Sequence, residues 1–471
     1  MKNRKSNFSN NKCFTAFALL SLALAAMPNR VSAQNLPASV VQLPVFGVSV
    51  DADGMLQAKM LAEPGGRLFL ERARAAHLAL PPELFAKSDL RKFSLARLEK
   101  ALQQRIEAGQ EPTDEMLKLA GLQRIEYVFV YPDQSDIVIA GPAEGWLADA
   151  GNRAVGVTTN RPVVLLEDLL VALRLFAPDQ AADTWVGCSI DPTREGLEKL
   201  NEFNRTIPLS VPTSARDETA FKMAAGMRAS LGNAEVKTFG ISSTNNLAHV
   251  LIEADYRMKL MAIGLEPPPI KMVTFISQLR TAPRTMQRWW FTPNYECVKV
   301  TEDRLAMQLV GEGVQLLTED YQLGADGRLT LKNAKPSGAS HLFSQAFTKK
   351  YAEIAEASPV FAQLRNMIDV LVLAAYLNKE QLYKKSGWRP SLFLDEKRIP
   401  VETREPIKSA PCVANAIWKG SRLIAPAGGG VSIQPQDALT AENLLADKDG
   451  HLHDARGATK IAKDAEAWWW D

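Results

Sequence analysis

Cysteine, histidine, aromatic residues and any excess of charge are all scarce in this sequence. Four cysteines and five histidines stand among 471 residues, and aromatics make up 7%. So few cysteines exclude a disulfide-stapled scaffold, and a packed core must supply the stability. Lys plus Arg total 55 against 53 Asp plus Glu, so the basic footprint of a nucleic-acid-binding chain is missing and no nucleic-acid partner is expected. No glycine-rich phosphate loop follows a strand, and no repeat of fixed period occurs, so no cofactor is expected. Beyond residue 33 no apolar run spans a bilayer. Met367 to Leu377 is too short and too polar at its flanks.

What is present begins with the first 33 residues. Lys2, Arg4, Lys5 and Lys12 form a positive segment without an acid, and Phe14 to Met27 is apolar apart from Thr15 and Ser21. Pro28 and Asn29 close that run, and Val31-Ser32-Ala33 places compact residues before a cut. This is the pattern of a secretory signal cleaved after Ala33, and it predicts an exported protein of the periplasm or the extracellular space. Removal of five basic residues (Arg30 is the fifth) and no acid turns a formal +2 into −3. Cys13 goes with the leader. An oxidising compartment then permits one disulfide among Cys188, Cys297 and Cys412, with the pairing open.

The mature chain reads as α/β, α+β overall. Residues 34–265 are expected to form a layered α/β domain and 270–424 a smaller domain of antiparallel strands with two packing helices. A Gly/Pro-rich, mobile tail is expected over 425–471. Val45 to Val50 and Met55 to Met60 read as a hairpin, and Ser94 as the cap of a helix carrying Leu95, Leu98, Leu102 and Ile106. Three times a short apolar strand runs through a polar turn into a helix: Thr158 to Pro162, Asp191-Pro192, and Ser242 to Thr244. Glu266-Pro267-Pro268-Pro269 ends the third helix and marks the expected domain boundary. Arg288 to Val300, Arg304 to Val310 and Val314 to Leu323 follow as strands.

Three stretches carry a resemblance: Phe46 to Gly54, Val250 to Leu260, and Arg288-Trp289-Trp290-Phe291-Thr292-Pro293. Together they resemble an uncharacterised family of exported proteins found mainly in planctomycete bacteria, a domain of unknown function, over roughly residues 43 to 400. The resemblance implies bacterial export and an unassigned role, and it carries over no catalytic residue.

Candidate sites follow from residue type and place. In an open α/β sheet the polar turns would converge on one edge, where free amides and helix dipoles favour anions. Thr159, Asn160, Arg161, Asp191, Thr193, Arg194, Ser242, Ser243, Thr244 and Asn245 would line it, although such residues are also ordinary helix caps. Ser242 sits where a serine nucleophile would, but Thr244 occupies the position of the second glycine, and His341 would have to be the base. His249, Glu253 and Arg257 share a helix face, able to pair structurally or to act as acid, base or metal ligands. Asp447 to Asp454 contains His451 and His453, ligand-type residues whose plainer role is a turn. One of Trp289 and Trp290 should face the core and the other outward. Trp468-Trp469-Trp470 should dock on the body or on a partner.

Two functions fit. One is a non-catalytic extracytoplasmic protein that binds an envelope protein or small ligand, or builds an envelope assembly. The other is a hydrolase of envelope material using Ser242, or His249 with Glu253. The leader generates the first test: N-terminal sequencing of the exported protein is expected to begin at Gln34, and a mature chain that still begins at Met1 would refute cleavage.

Overall fold

Alternation and capping set the local elements. Ser94 Oγ accepts from Arg97 N at 3.0 Å and opens the helix Leu95–Glu107, whose Leu95, Leu98 and Leu102 are fully buried. In the strand Met286–Pro293, Trp289 is buried and Trp290 half-buried, as successive residues on a pleated strand require. The computed structural model describes residues 45–61, 66–178, 180–181, 184–207, 211–279, 286–323, 328–333, 338–415, 428–459 and 467–471. The expected leader and its expected cleavage site lie outside the described residues.

The fold is α+β. One seven-stranded mixed sheet runs, edge to edge, through Leu329–Asn333, Val314–Leu323, Met286–Pro293, Gly428–Ile433, Val186–Pro192, Asn233–Phe239 and Ser409–Pro411. Its one parallel pairing joins Met286–Pro293 to Gly428–Ile433. A second seven-stranded sheet runs Leu445–Ala446, Val298–Val300, Ala306–Leu309, Tyr127–Tyr131, Asp136–Ala143, Ser88–Ser94 and Trp469–Trp470. Val45–Val50 with Leu56–Leu61, and Trp146–Ala148 with Ala154–Gly156, form separate two-stranded ribbons.

Helices fill the space between these sheets. Asn246–Ala262 packs on the mixed sheet through Val186–Pro192, Gly428–Ile433 and Met286–Pro293, and on its other side meets Leu166–Leu175 and Pro359–Lys379. Apart from Asn246 and His249 near its start, it is covered all round. Pro359–Lys379 is tied to the second sheet and its loops. Asn366 Nδ2 donates to Gln123 O at 2.9 Å, Arg124 pairs with Asp369 at 3.1 Å, and Tyr376 OH donates to Arg304 O at 2.8 Å. This helix is longer than the apolar stretch read in the sequence. By length and composition alone it could cross a membrane, yet it is buried within the fold. The far face of the second sheet carries Phe129, Val138, Ala140 and Ala306, covered by Leu452 of the helix His451–Ala458.

The expected domain division does not match separate cores. From residue 41 onward the chain is one compact unit, and the mixed sheet draws strands from both sides of Glu266–Pro269. Gly428-Gly429-Gly430, read as part of a mobile tail, is the start of a central strand. A side chain at Gly429 would strike the Trp289 carbonyl and come within 2.7 Å of Lys259 Cε, and one at Gly430 would strike the Cys188 carbonyl. Glycine stands there because neighbouring backbones leave no room. Cys188, Cys297 and Cys412 are buried free thiols, so none of the three forms the disulfide that export would permit.

The last residues dock on the body. Trp469 and Trp470 pair antiparallel with Phe93 and Lys92, and Ser94 N donates to Trp468 O at 2.8 Å. Asp471 accepts from Arg91 Nε at 2.9 Å and from Nη2 at 3.0 Å, while the Arg91 guanidinium lies 4.7 Å over the Trp469 ring. Arg91 is fully buried, and a buried charge stripped of its partner costs about 3–5 kcal/mol. Deleting Ala467 to Asp471 is therefore expected to lower the urea-unfolding free energy by about 3 kcal/mol, less whatever the four carbonyls around Arg91 retain. An unchanged midpoint would show that the docking is incidental.

Candidate functional site

The three polar turns do not share one sheet edge: the first follows a strand of a separate ribbon, and the other two lie at opposite ends of neighbouring strands. Asp191 pairs with Glu235 and Gly187 with Phe239 in antiparallel strands, so the end of the first strand lies beside the start of the second. The turn at Ser242 is thus at least about 14 Å from Asp191 along the sheet. Convergence on one edge needs parallel strands, and these are not parallel. Each turn is also satisfied locally. The amide of Thr159 (2.9 Å) and the hydroxyls of Thr158 and Thr159 hold the buried carboxylate of Glu144, which also accepts from Gln123 Nε2 at 2.8 Å. Asn160 has a left-handed backbone, and Arg161 pairs with Glu356.

The second and third turns are equally spoken for. Asp191 pairs with Arg288 at 3.3 Å, Thr193 Oγ1 caps its helix at Gly196 N at 3.1 Å, and Arg194 pairs with Glu198 at 3.0 Å. Ser242 is exposed, its Oγ 2.8 Å from Thr244 Oγ1. Ser243 lies beside the His249 ring through its backbone. Asn245 precedes its helix without a side-chain capping bond.

His451 and His453 are exposed at the start of a short helix. Asp447 accepts from Leu452 N at 3.1 Å and from His453 N at 2.9 Å, so the acidic residue serves as a cap. Among the described residues no group of three or more His, Cys, Asp or Glu is placed to hold a metal ion.

One constellation does meet a cavity. A cleft of about 510 Å³ is bounded by the ribbon at Gly47–Val50, the helix Asn246–Ala262, the start of Leu166–Leu175 and the segment from Ile399 to Ile407. His249 and Glu253 line it from one helix, one turn apart. Facing residues come from far away in sequence: Arg153, Glu167, Gln363 and Arg404. No local spacing marks these four, so sequence reasoning missed them. Their only advance signal is that a buried Glu253 needs more positive charge than Arg257 supplies. The helix face that carries His249 and Glu253 is enclosed, with Glu253 only 8% exposed.

The charges in the cleft cancel in pairs. Glu253 pairs with Arg153 and, at 3.5 Å, with Arg257, whose other nitrogens engage buried Glu266 at 2.7 Å. Arg153 Nε also donates to Gln363 Oε1 at 2.8 Å. Arg404 grips Glu167 with two bonds of 3.0 and 2.7 Å, the fork geometry that suits a carboxylate. Burial, and then the nearby Arg404, hold the His249 imidazole below its ordinary range, so it is neutral at pH 7. Its Nε2 is enclosed and makes no hydrogen bond.

Beneath the cleft, Asn246 Nδ2 donates to both carboxylate oxygens of Asp168, at 3.2 and 3.0 Å. Burial, and then adjacent Glu167, push the Asp168 carboxyl up to about 8. Folded Asp168 therefore keeps its proton where the unfolded chain has lost it, so it lowers stability progressively from about pH 4 to about pH 8. Asp168→Asn should show a stability advantage over wild type that grows across that window, by on the order of 5 kcal/mol if the whole shift is realised. Thermal melts at pH 4 and pH 8 that differ equally in both proteins would remove this account.

A family model described as a protein of unknown function, DUF1598, matches residues 188–275. That span holds the helix with His249 and Glu253 and the turns at Asp191 and Ser242, but not Arg153, Glu167, Gln363 or Arg404. No curated protein and no solved structure matches the chain. Over residues 188–275 the chain is thus similar to a domain of unknown function, and the rest of the cleft is built outside it.

Proposed function

We propose that this is an exported, extracytoplasmic binding protein whose ligand seats in the cleft beside His249 and Glu253. The observation that carries the reading is a cavity of pocket size lined by hydrogen-bonding side chains, Asn246, His249 and Gln363, beside charges that are already paired. Because each arginine already has its carboxylate, the cleft favours an uncharged molecule rich in hydrogen-bonding groups over a phosphate or a carboxylate. The leader supports export, and an envelope partner would then be the source of the ligand.

The hydrolase reading is the weaker fit. Glu253 is held in ion pairs with Arg153 and Arg257, which leaves it no free position for acid or base work. Ser242 does not line the cleft, and no second observation favours catalysis.

Histidine ring signals give a direct test, because the chain has only five histidines. With histidine-labelled protein, the His249 resonances are identified by their loss in His249→Ala. A panel of amino acids, monosaccharides and blocked short peptides should contain members that shift those resonances and leave His451 and His453 unmoved. The variant should bind the same compounds about tenfold more weakly, the equivalent of one hydrogen bond. If every compound that binds leaves His249 unmoved, the cleft is not the binding site.

A further inference from the structure

Resting on that reading of the cleft, we propose that its occupant is an extended peptide segment, added as a third strand to the open edge of Val45–Val50. Gly47, Val48, Ser49 and Val50 all line the cavity. Alternate residues of a strand face opposite sides, so four in succession can share one cavity only if it lies along the strand's edge. The bond from Asp51 N to Met55 O sets the alternation, so the backbone groups that face away from the partner strand are those of Val48 and Val50. The other edge of this strand is taken by Leu56–Leu61, in register from Val50 opposite Leu56 to Val45 opposite Leu61. Among the described residues, nothing hydrogen-bonds to the edge that faces the cleft.

In an antiparallel pair every second residue turns its N–H and C=O away from its partner. Here those groups turn toward the cavity, and unpaired strand edges recruit further strands. The edge is held in place from behind. Gly54 O accepts from Lys408 N at 2.8 Å and from Ser409 N at 3.3 Å, and Met55 bridges to Ser409. Four residues of edge span about 14 Å, enough to pair a segment of four residues. The opposite wall offers Asn246, His249 and Gln363 beside the self-neutralised pairs Arg153–Glu253 and Arg404–Glu167. Such a wall suits amides and small uncharged side chains. A saccharide could use those side chains but has no alternating N–H and C=O to match the strand.

The test uses the mature chain from Gln34 onward. The probe is a fluorescein-labelled pool of acetylated, amidated tetrapeptides of Ala, Ser and Val, read by fluorescence anisotropy. The pool is expected to bind, to weaken about tenfold with His249→Ala, and to lose at least tenfold when alternate peptide nitrogens are methylated. Equal binding of the methylated pool would overturn backbone pairing. If no peptide binds while a monosaccharide shifts the His249 resonances, strand addition falls and the cleft-binding reading stands. If neither peptides nor any other compound engages His249, both fall.

Discussion

Burying the helix Asn246–Ala262 is the constraint on which the rest of the molecule depends. A helix covered on every side normally carries apolar residues alone. This one also buries Glu253, Asp255, Arg257 and Lys259. An ion removed from water is costly unless a partner and further hydrogen bonds replace the solvent, and the surrounding chain is arranged to supply them. Arg153 comes from a ribbon a hundred residues earlier, Glu266 from just past the helix, and the Ile190 carbonyl from the mixed sheet, where it accepts from Lys259 Nζ at 2.9 Å. Asp255, 2.8 Å from Lys259, is pushed up to about 6 by burial first and is drawn back by that lysine. The glycine strand at 428–430 passes close enough to touch this pair, which a strand with side chains could not do.

The same helix divides its work along its length. Its C-terminal half is locked in the core by Asp255–Lys259 and Arg257–Glu266. Its N-terminal half emerges into the cleft with Asn246, His249 and Glu253. Glu253 belongs to both halves, bound on one side to Arg257 in the core and on the other to Arg153 on the cleft wall. The electrostatic character of the cleft therefore follows from the folding problem. The charges that the buried helix requires arrive already paired, and a wall of paired charges selects for hydrogen bonding rather than for net charge.

Much of the local structure was legible because its causes are local. The serine cap at Ser94, the strand and helix around residues 233–262, and the alternation of Trp289 and Trp290 each rest on a few neighbouring residues. The long-range arrangement was not. Strand–turn–helix repeats read alike whether the strands run parallel or antiparallel, and only the pairing of Asp191 with Glu235 separates the turns. Gly428-Gly429-Gly430 reads as part of a mobile tail because its reason, contact with Trp289, Lys259 and Cys188, lies in other segments. The cleft was half legible. His249 and Glu253 stood out by helical spacing, whereas Arg153, Glu167, Gln363 and Arg404 enter through tertiary contact alone.

The first of the three turns shows why residue type alone pointed to the wrong place. Thr158 and Thr159 do form an anion-receiving turn, and the anion in it is the protein's own Glu144. Gly156 lies against that carboxylate, where any side chain would collide with it and with Gln123. A buried turn that can hold a carboxylate gains stability by enclosing one permanently, so its threonines say nothing about an outside ligand. The cleft differs in one respect only. Its ion pairs are complete, but the strand edge at Gly47–Val50 is not. Backbone groups left unpaired along a cavity are the ones available to something else.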